Sequence, residues 1–207
     1  MTVKASGPSF LLILAILLGT VRFQGSPSNQ NTLRDFEGNE YRTVRIGDQI
    51  WMSENLRSTR TREGIVVTSF LPNNDSSNIR NYGRLYDWET AIRIAPNGWH
   101  LPSDTEWHAL EKHLGKTAGA KLKDTVFWSP PNTGATNAAA FNARPAGYWN
   151  EGGFDNNFGL RAVFWSSTKQ NSHFVWSRTL SYDHDSLRRA PQHPQYGFSV
   201  RYIKDMP

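Results

Sequence analysis

The segment SDTEWHALEKHLG, which begins at Ser103, carries the signals for both ends of a helix. A serine followed three residues later by a glutamate forms a capping box, in which each side chain binds the backbone N–H of the other residue. Trp107, Leu110 and Leu114 recur at helical spacing and define one apolar face. Gly115 is suited to a left-handed cap at the end of a helix. The sequence therefore predicts a helix over residues 104–114.

Three histidines in or beside this helix raise the hypothesis of a metal site. His108 and His113 are five positions apart, so their side chains leave a helix in different directions. Neither a His-x-x-x-His nor an HExxH pattern occurs in the chain. We therefore predict no metal ligands and no catalytic residues here, and we expect His100 to be a partly buried histidine that forms hydrogen bonds.

The remaining elements follow from alternation, turn residues and helical spacing. Residues 41–46 alternate in period two and are followed by Gly47-Asp48 and a second apolar run, which is typical of a hairpin. The other predicted elements are a short helix over 85–94, strands over 162–166, 173–182 and 197–203, and a long irregular region over 119–160. Two short helices with antiparallel strands near both ends predict an α+β domain.

The N-terminal segment is typical of an export signal. Lys4 precedes the apolar run FLLILAILL, which is too short to cross a bilayer. Residues 1–25 are predicted to be a signal peptide, with an uncleaved membrane anchor as the alternative because the residues before position 25 are not all small. Residues 26–34 are interpreted as a linker and 35–207 as one domain. We expect this domain outside the cell or on its surface, with the periplasm as an alternative, and membrane contact only through an uncleaved N-terminal segment.

Composition removes several classes of function. The 207-residue chain has no cysteine, which excludes disulfides, thiolate metal sites and cysteine nucleophiles. It also has no GxSxG, GxGxxG or phosphate-loop pattern. The formal net charge of +5 is scattered along the chain rather than gathered in a stripe, so no nucleic-acid partner is expected.

Asparagine and aspartate clusters at 73–75, at 155–157 with Glu151 nearby, and at Asp183 with Asp185 offer oxygen ligands of the kind that calcium prefers. None has EF-hand spacing, and these residue types also favour turns. A calcium site is possible on these grounds, but no cofactor is predicted.

Aromatic and polar side chains are mixed in the segment GYWNEGGFDNN, within the irregular region. Sugar-binding sites combine an aromatic platform with amide or carboxylate groups that fix orientation. The alternative is that such aromatics only pin irregular loops to the core, and this alternative stays open for each residue taken singly. The predicted ligand-binding residues are Tyr148, Trp149, Asn150, Glu151, Asp155 and Asn157. Trp128 is a second tryptophan expected to be exposed nearby.

Five segments of the chain belong to one recognisable pattern when taken in order: VRIGDQIWMSENLR, NYGRLYDWETA, PNGWHLPSDTEWHALEKHLG, FNARPAGYWNEGGFDNNFGLRAVFWSST and GFSVRYIKD. Together they resemble the FISUMP domain, the Fibrobacter succinogenes major paralogous domain. The resemblance covers about residues 35–205. It implies an exported or surface-attached protein of the kind found in Bacteroidetes and related bacteria, with a C-type-lectin-like fold and long irregular loops. It implies no particular activity and no catalytic residues.

Two positions depart from the family pattern. The family commonly has cysteines where this chain has Ala95 and Tyr202, and the paired loss resembles the loss of one disulfide. The resemblance therefore implies that Ala95 and Tyr202 lie close together and that the Tyr202 ring is buried. The family usually has glycine where this chain has Ala140, so a backbone position with positive φ is expected there.

Our leading hypothesis is a non-enzymatic module, secreted or on the cell surface, that binds a glycan or a protein through its loop region. The second hypothesis is a structural or assembly component of the cell envelope without a small-molecule site. The third is a hydrolytic enzyme, which would need histidine and carboxylate groups converging in one pocket.

Overall fold

The predicted hairpin forms the centre of the larger sheet. In the computed structural model, which describes residues 1–2, 32–155 and 157–206, β2 (Glu40–Ile46) and β3 (Gln49–Met52) pair antiparallel with Ile46 opposite Gln49. Gly47 turns the chain with φ of +58°, and the His113 ring lies where a Cβ would contact it at 3.1 Å. The turn therefore depends on glycine both for its backbone angle and for space.

Three more strands join this hairpin: β1 (Thr32–Arg34), β4 (Trp99–His100) and β10 (Ile203–Lys204). The resulting sheet has five strands, in the order β1-β2-β3-β10-β4. β1 occupies the last three residues of the segment interpreted as a linker, so the sheet already includes the chain at Thr32. Residues 3–25 of the expected signal peptide and residues 26–31 of the linker lie outside the described residues.

A three-stranded sheet and a two-stranded sheet complete the β structure of the described residues. The first consists of β7 (Arg161–Lys169), β8 (Val175–Ser181) and β9 (Arg188–Gln192), and the second of β5 (Tyr148–Asn150) and β6 (Gly153–Asp155). Both sheets are antiparallel. The strands predicted over 162–166 and 173–182 correspond to β7 and β8.

The described helices are α1 (Ile79–Tyr82), α2 (Trp88–Arg93), α3 (Asp104–Leu114) and α4 (Ala118–Leu122). The prediction of only two short helices was wrong, because α1 and α4 were missed. α2 is shorter than predicted, since Asp87 caps its N-terminus through the Thr90 amide. No helix in the described ranges has the length and apolar character needed to cross a membrane.

Helix α3 matches its prediction at both ends. The Ser103 hydroxyl accepts from the Glu106 amide, and the Glu106 carboxylate accepts from the Ser103 amide at 2.7 Å. Gly115 has the expected positive φ of 80°, but its ψ of −168° lies outside the left-handed helical region. Its N–H nevertheless bonds to the Glu111 carbonyl at 2.8 Å.

The last segment does not form the continuous strand predicted over 197–203. It crosses the molecule through isolated bridges, which pair Gly197 with Trp149, Phe198 with Tyr86 and Ser199 with Phe164, before entering β10. Phe198, Val200 and Tyr202 are nevertheless all buried, as their alternation predicted. The segment therefore connects the separate sheets through the core.

Two hydrophobic clusters form the core. In one, Trp51 and Trp107 lie with ring centroids 4.7 Å apart, and Phe141 and Phe164 pack around them. The other contains Trp165, whose ring lies 4.2 Å from that of Phe198. The fold is mixed α and β, with mostly antiparallel strands and short helices.

Candidate functional site

Strand β5 directs consecutive aromatic side chains in different directions, as the pleat of a strand requires. Tyr148 packs toward the core, with its ring edge-on to Phe198 at 5.9 Å. Trp149 is half-buried and stacks on Phe70, with centroids 4.0 Å apart and ring planes within 6°. The turn after the strand is closed by Asn150, whose side-chain oxygen accepts from the Gly152 amide at 3.0 Å.

The stack depends on two distant segments. Phe70 is held by a pair of backbone hydrogen bonds with Leu85, at 2.8 and 3.0 Å. Gly197 pairs with Trp149, and a Cβ at Gly197 would lie 2.6 Å from the Phe70 ring and 3.1 Å from Trp149 Cβ. The parallel rings therefore require glycine at position 197.

The stacked pair lies between two open clefts and lines both of them. We call the larger one the aromatic cleft; its volume is about 940 Å³. Its lining residues are Phe70, Asp87, Glu89, Thr90, Arg93, Trp149, Glu151, His193, Pro194 and Gln195. The smaller cleft, of about 350 Å³, shares Phe70 and Trp149 and continues over Ser69, Leu71 and Gly153. An extended ligand that crossed the rings would contact both.

The polar groups of the aromatic cleft differ in whether they already form hydrogen bonds within the protein. The Asp87 carboxylate accepts hydrogen bonds from the Thr90 amide and hydroxyl, at 2.8 and 2.9 Å. Glu89 and Glu151 are exposed. His193 Nδ1 is shielded from solvent, has no hydrogen-bond partner among the described residues, and lies 3.9 Å from Glu151 Oε1. The cleft therefore offers two exposed carboxylates, of which Glu151 lies at ion-pair distance from His193, and one ring nitrogen without a hydrogen bond among the described residues.

The structure brings only part of the predicted site together. Trp149 and Glu151 line the aromatic cleft, whereas Tyr148 belongs to the core and Asn150 closes a turn. The remaining two residues are Asp155, whose backbone pairs with Tyr148, and Asn157, whose carbonyl accepts from Leu160 and Arg161.

Sequence reasoning missed several members of the cleft. Phe70, Asp87 and His193 come from segments far apart in the chain, and no local motif links them. The available signal was a lone aromatic residue, Phe70, in an otherwise polar irregular stretch. Trp128, which was expected to be exposed, is instead buried and donates its indole N–H to the Ala143 carbonyl at 2.9 Å.

The histidines do not converge. His100 bonds to Glu106 through Nε2 at 2.9 Å and to Asp205 through Nδ1, as a partly buried hydrogen-bonding histidine should. His108 is exposed, and the His113 ring lies against Gly47. Within the described ranges, no three histidine or acidic side chains are placed to hold a metal ion.

The candidate calcium clusters serve as turns where they are described. Asn73 and Asn74 have φ of 54°, and Asp75 caps the following turn through the Ser77 amide at 2.8 Å. Asp183 accepts from the Ser181 hydroxyl. Asn156, the central residue of the cluster at 155–157, lies outside the described residues.

A third cleft, of about 630 Å³, is polar and rich in arginine. We call it the guanidinium cleft; it is lined by Glu40, Arg42, Ser53, Glu54, Asn55, Arg57, Ser76, Ser77, Ile79, Arg80, Asn81, Gly83, Asn142, Arg144 and Arg201. No sequence pattern pointed to it, because its arginines are far apart in the chain.

Arg201 is buried at the base of the guanidinium cleft, with 1% of its surface exposed. Burial lowers the pKa of Arg201 to about 9, which leaves the guanidinium charged at neutral pH. It stacks 4.6 Å from the Phe141 ring.

Comparison with known proteins places the chain in a family. The model of the Fibrobacter succinogenes major domain matches residues 44–204. This range includes all the lining residues of the aromatic cleft, and those of the guanidinium cleft apart from Glu40 and Arg42. The comparison with curated proteins gives no match, and neither does the comparison with solved structures. Because the matched range covers most of the chain, the chain belongs to the Fibrobacter succinogenes major domain family.

Proposed function

We propose that this chain is a non-enzymatic binding module, secreted or on the cell surface, that holds a glycan in the aromatic cleft. The observation that carries the proposal is the parallel stack of Phe70 and Trp149 beside exposed carboxylates. The export expected from residues 1–25 supports a surface location. The mixed fold with mostly antiparallel strands is compatible with the C-type-lectin-like fold that the family resemblance implies.

The chemistry of the aromatic cleft suits a sugar. The C–H face of a pyranose ring packs against an indole, while carboxylates accept hydrogen bonds from its hydroxyls. The Trp149 ring is held by Phe70 and Gly197, so little conformational entropy is lost when a ligand binds. Since the lining has three carboxylates and one arginine, a neutral or amino sugar fits better than an acidic one.

The same groups are less suited to catalysis. A general acid at neutral pH needs a carboxyl group shielded from water. Glu89 and Glu151 are exposed, and Asp87 is occupied in capping α2. We therefore propose binding rather than hydrolysis.

A glycan array with the full chain tests the proposal. Binding to a neutral or amino sugar is expected. Trp149→Ala is expected to weaken it about five- to thirtyfold, since one aromatic platform contributes on the order of 1–2 kcal/mol. Trp176→Ala is the matched control, because Trp176 is also half-buried but stacks on Arg189 outside the cleft.

Two results would contradict this assignment. One is an array without any bound glycan. The other is a Trp149→Ala variant that is folded by circular dichroism and binds as the unaltered chain does. Recovery of a specific envelope protein with the chain, together with an empty array, would favour the structural or assembly role.

A further inference from the structure

We infer that the guanidinium cleft is a second binding site, specific for an oxyanion: the carboxylate, sulfate or phosphate group of a small polar ligand. The cleft shares no lining residue with the aromatic cleft. The inference therefore does not depend on the proposed glycan site.

The guanidinium cleft has more positive than negative side chains in its lining. Five arginines and two glutamates line it. Arg42 pairs with Glu54 at 2.9 Å, and Arg144 pairs with Asp124 at 3.2 Å. Within the described ranges, Arg57, Arg80 and Arg201 have no carboxylate within salt-bridge distance. Three positive charges therefore remain without a direct counterion.

Arg201 supplies a fixed charge. Its guanidinium donates only to neutral acceptors: the Asn55 side-chain oxygen at 2.6 Å, and the carbonyls of Met52, Phe141 and Asn142 at 3.0, 2.6 and 2.9 Å. These contacts orient the group without a direct ion pair, and Glu54 and Asp124 act on its charge only from a longer distance. Because burial weakens screening by water, a nearby anion gains more from this charge than from an exposed one.

Two further arginines are held in place before any ligand arrives. Arg57 lies over the Tyr41 ring at 4.5 Å and donates to the Glu40 carbonyl at 2.8 Å. Arg144 lies over the Phe127 ring at 3.9 Å and donates to the Asn81 carbonyl at 2.9 Å. Preorganised guanidinium groups lose little entropy on binding, and their planar forks match oxyanions.

The rest of the lining favours a polar ligand over an apolar or aromatic one. Among the described residues, no aromatic side chain lines the cleft, and Ile79 is its one large apolar residue. A ligand that relied on stacking would gain nothing here, whereas one bearing an oxyanion and hydroxyls would find guanidinium, hydroxyl and amide groups. The chemistry is thus the reverse of that in the aromatic cleft, where carboxylates dominate.

Calorimetric titration of the full chain with glucuronate, sulfate, phosphate and glucose tests the inference. At least one of the three anions is expected to bind the unaltered chain. In Trp149→Ala, which lacks the aromatic platform, that anion is still expected to bind and glucose is not. The anion that binds most tightly identifies the group: glucuronate indicates an acidic sugar, and sulfate or phosphate an ester of that acid.

Arg80→Gln is the informative variant, because Arg80 is exposed, lines the cleft and makes no hydrogen bond or ion pair among the described residues. Loss of one charge-assisted contact is expected to weaken binding roughly tenfold. Arg45→Gln is the matched control: it removes the same charge from an exposed position of β2 on the face opposite Arg42.

The inference is overturned if none of the three anions binds, or if Arg45→Gln weakens binding as much as Arg80→Gln, which would indicate only the general positive charge of the chain. Trp149→Ala is expected to leave anion binding unchanged. The two sets of experiments therefore distinguish failure of the glycan proposal from failure of the anion-binding inference.

Discussion

Ala140 occupies a backbone conformation that glycine would hold at lower cost. Its φ is +50°, as the family resemblance implied for this position. A non-glycine residue in the left-handed region costs about 1–2 kcal/mol, and the greater freedom of glycine in the unfolded chain cancels part of the gain. We expect Ala140→Gly to raise the free energy of unfolding by about 0.5–1 kcal/mol.

Chemical denaturation of the two chains measures this difference. Ala138→Gly is the control, because Ala138 is also exposed but lacks a positive φ, and there glycine should lower stability. If Ala140→Gly is as destabilising as Ala138→Gly, the positive φ carries no strain.

His100 should make stability depend on pH. Burial lowers the pKa of His100, but hydrogen bonds to Asp205 and Glu106 outweigh burial and raise it above its usual 6.5. A group whose pKa is raised on folding contributes stability that is fully present below its unfolded pKa and is lost as pH rises through the folded value. The chain should therefore lose stability through this group as the pH rises above about 6.5 and through the higher pKa of the folded state.

The pH dependence can be isolated with His100→Gln. Denaturation at pH 6 and pH 8 should show a smaller difference for this variant than for the unaltered chain. His108→Gln is the control, because His108 is exposed and makes no described hydrogen bond or ion pair. Equal pH dependence in the unaltered chain and in His100→Gln would mean that the contacts to Asp205 and Glu106 do not hold the proton.

Helix α3 is the element whose stability rests most clearly on its own sequence. Ser103 caps it, and the Ser103 hydroxyl also donates to the Glu106 carboxylate at 2.8 Å. Ser103→Ala should cost about 1 kcal/mol of unfolding free energy, because the Glu106 amide loses its acceptor. Thr105→Ala, an exposed change in the same first turn, should change stability little. Similar losses in the two variants, measured by thermal unfolding, would contradict the role of the cap.

The elements that could be predicted are those with local signals. The ends of α3 are marked by Ser103 and Gly115, and the hairpin by Gly47. α4 has no such signal. It is held from a distance, because Gly119 lies so close to the Ser186 backbone that a Cβ would approach its carbonyl oxygen to 2.4 Å.

The final segment shows why alternation predicts burial better than pairing. Phe198, Val200 and Tyr202 are buried, as alternation indicated. The backbone bridges of this segment, however, join Gly197, Phe198 and Ser199 to isolated positions on three different parts of the chain. Those bridges depend on how the core packs, and the pattern of one short segment does not predict that packing.

Across the domain, this last segment also supports both candidate sites. Gly197 makes room for the Phe70 and Trp149 rings, and Arg201 lies at the base of the guanidinium cleft. Trp149 and Glu151 could be predicted as site residues because they share one short segment. Phe70, brought in by a bridge to Leu85, could not, since no local pattern links it to them.

The family resemblance leads to a prediction about the whole domain. Tyr202 is fully buried, as expected, and its hydroxyl donates to the Ala91 carbonyl at 2.8 Å. Ala95 packs against the same core cluster, and the close approach of Ala95 to Tyr202 remains a prediction. If the two positions are the sites of a family disulfide, the double variant Ala95→Cys with Tyr202→Cys should form a bridge on oxidation.

Comparing the oxidised and reduced forms of that double variant isolates the effect of the bridge on stability, because the Tyr202 ring is absent from both forms. A cross-link that closes a loop of roughly 100 residues is worth about 2–4 kcal/mol in practice, so the oxidised form should unfold at higher denaturant concentration. Tyr202→Cys alone should respond to neither oxidant nor reductant. Two free thiols after oxidation would mean that the side chains lie beyond disulfide reach, because a bridge tolerates only a narrow range of Cβ separations.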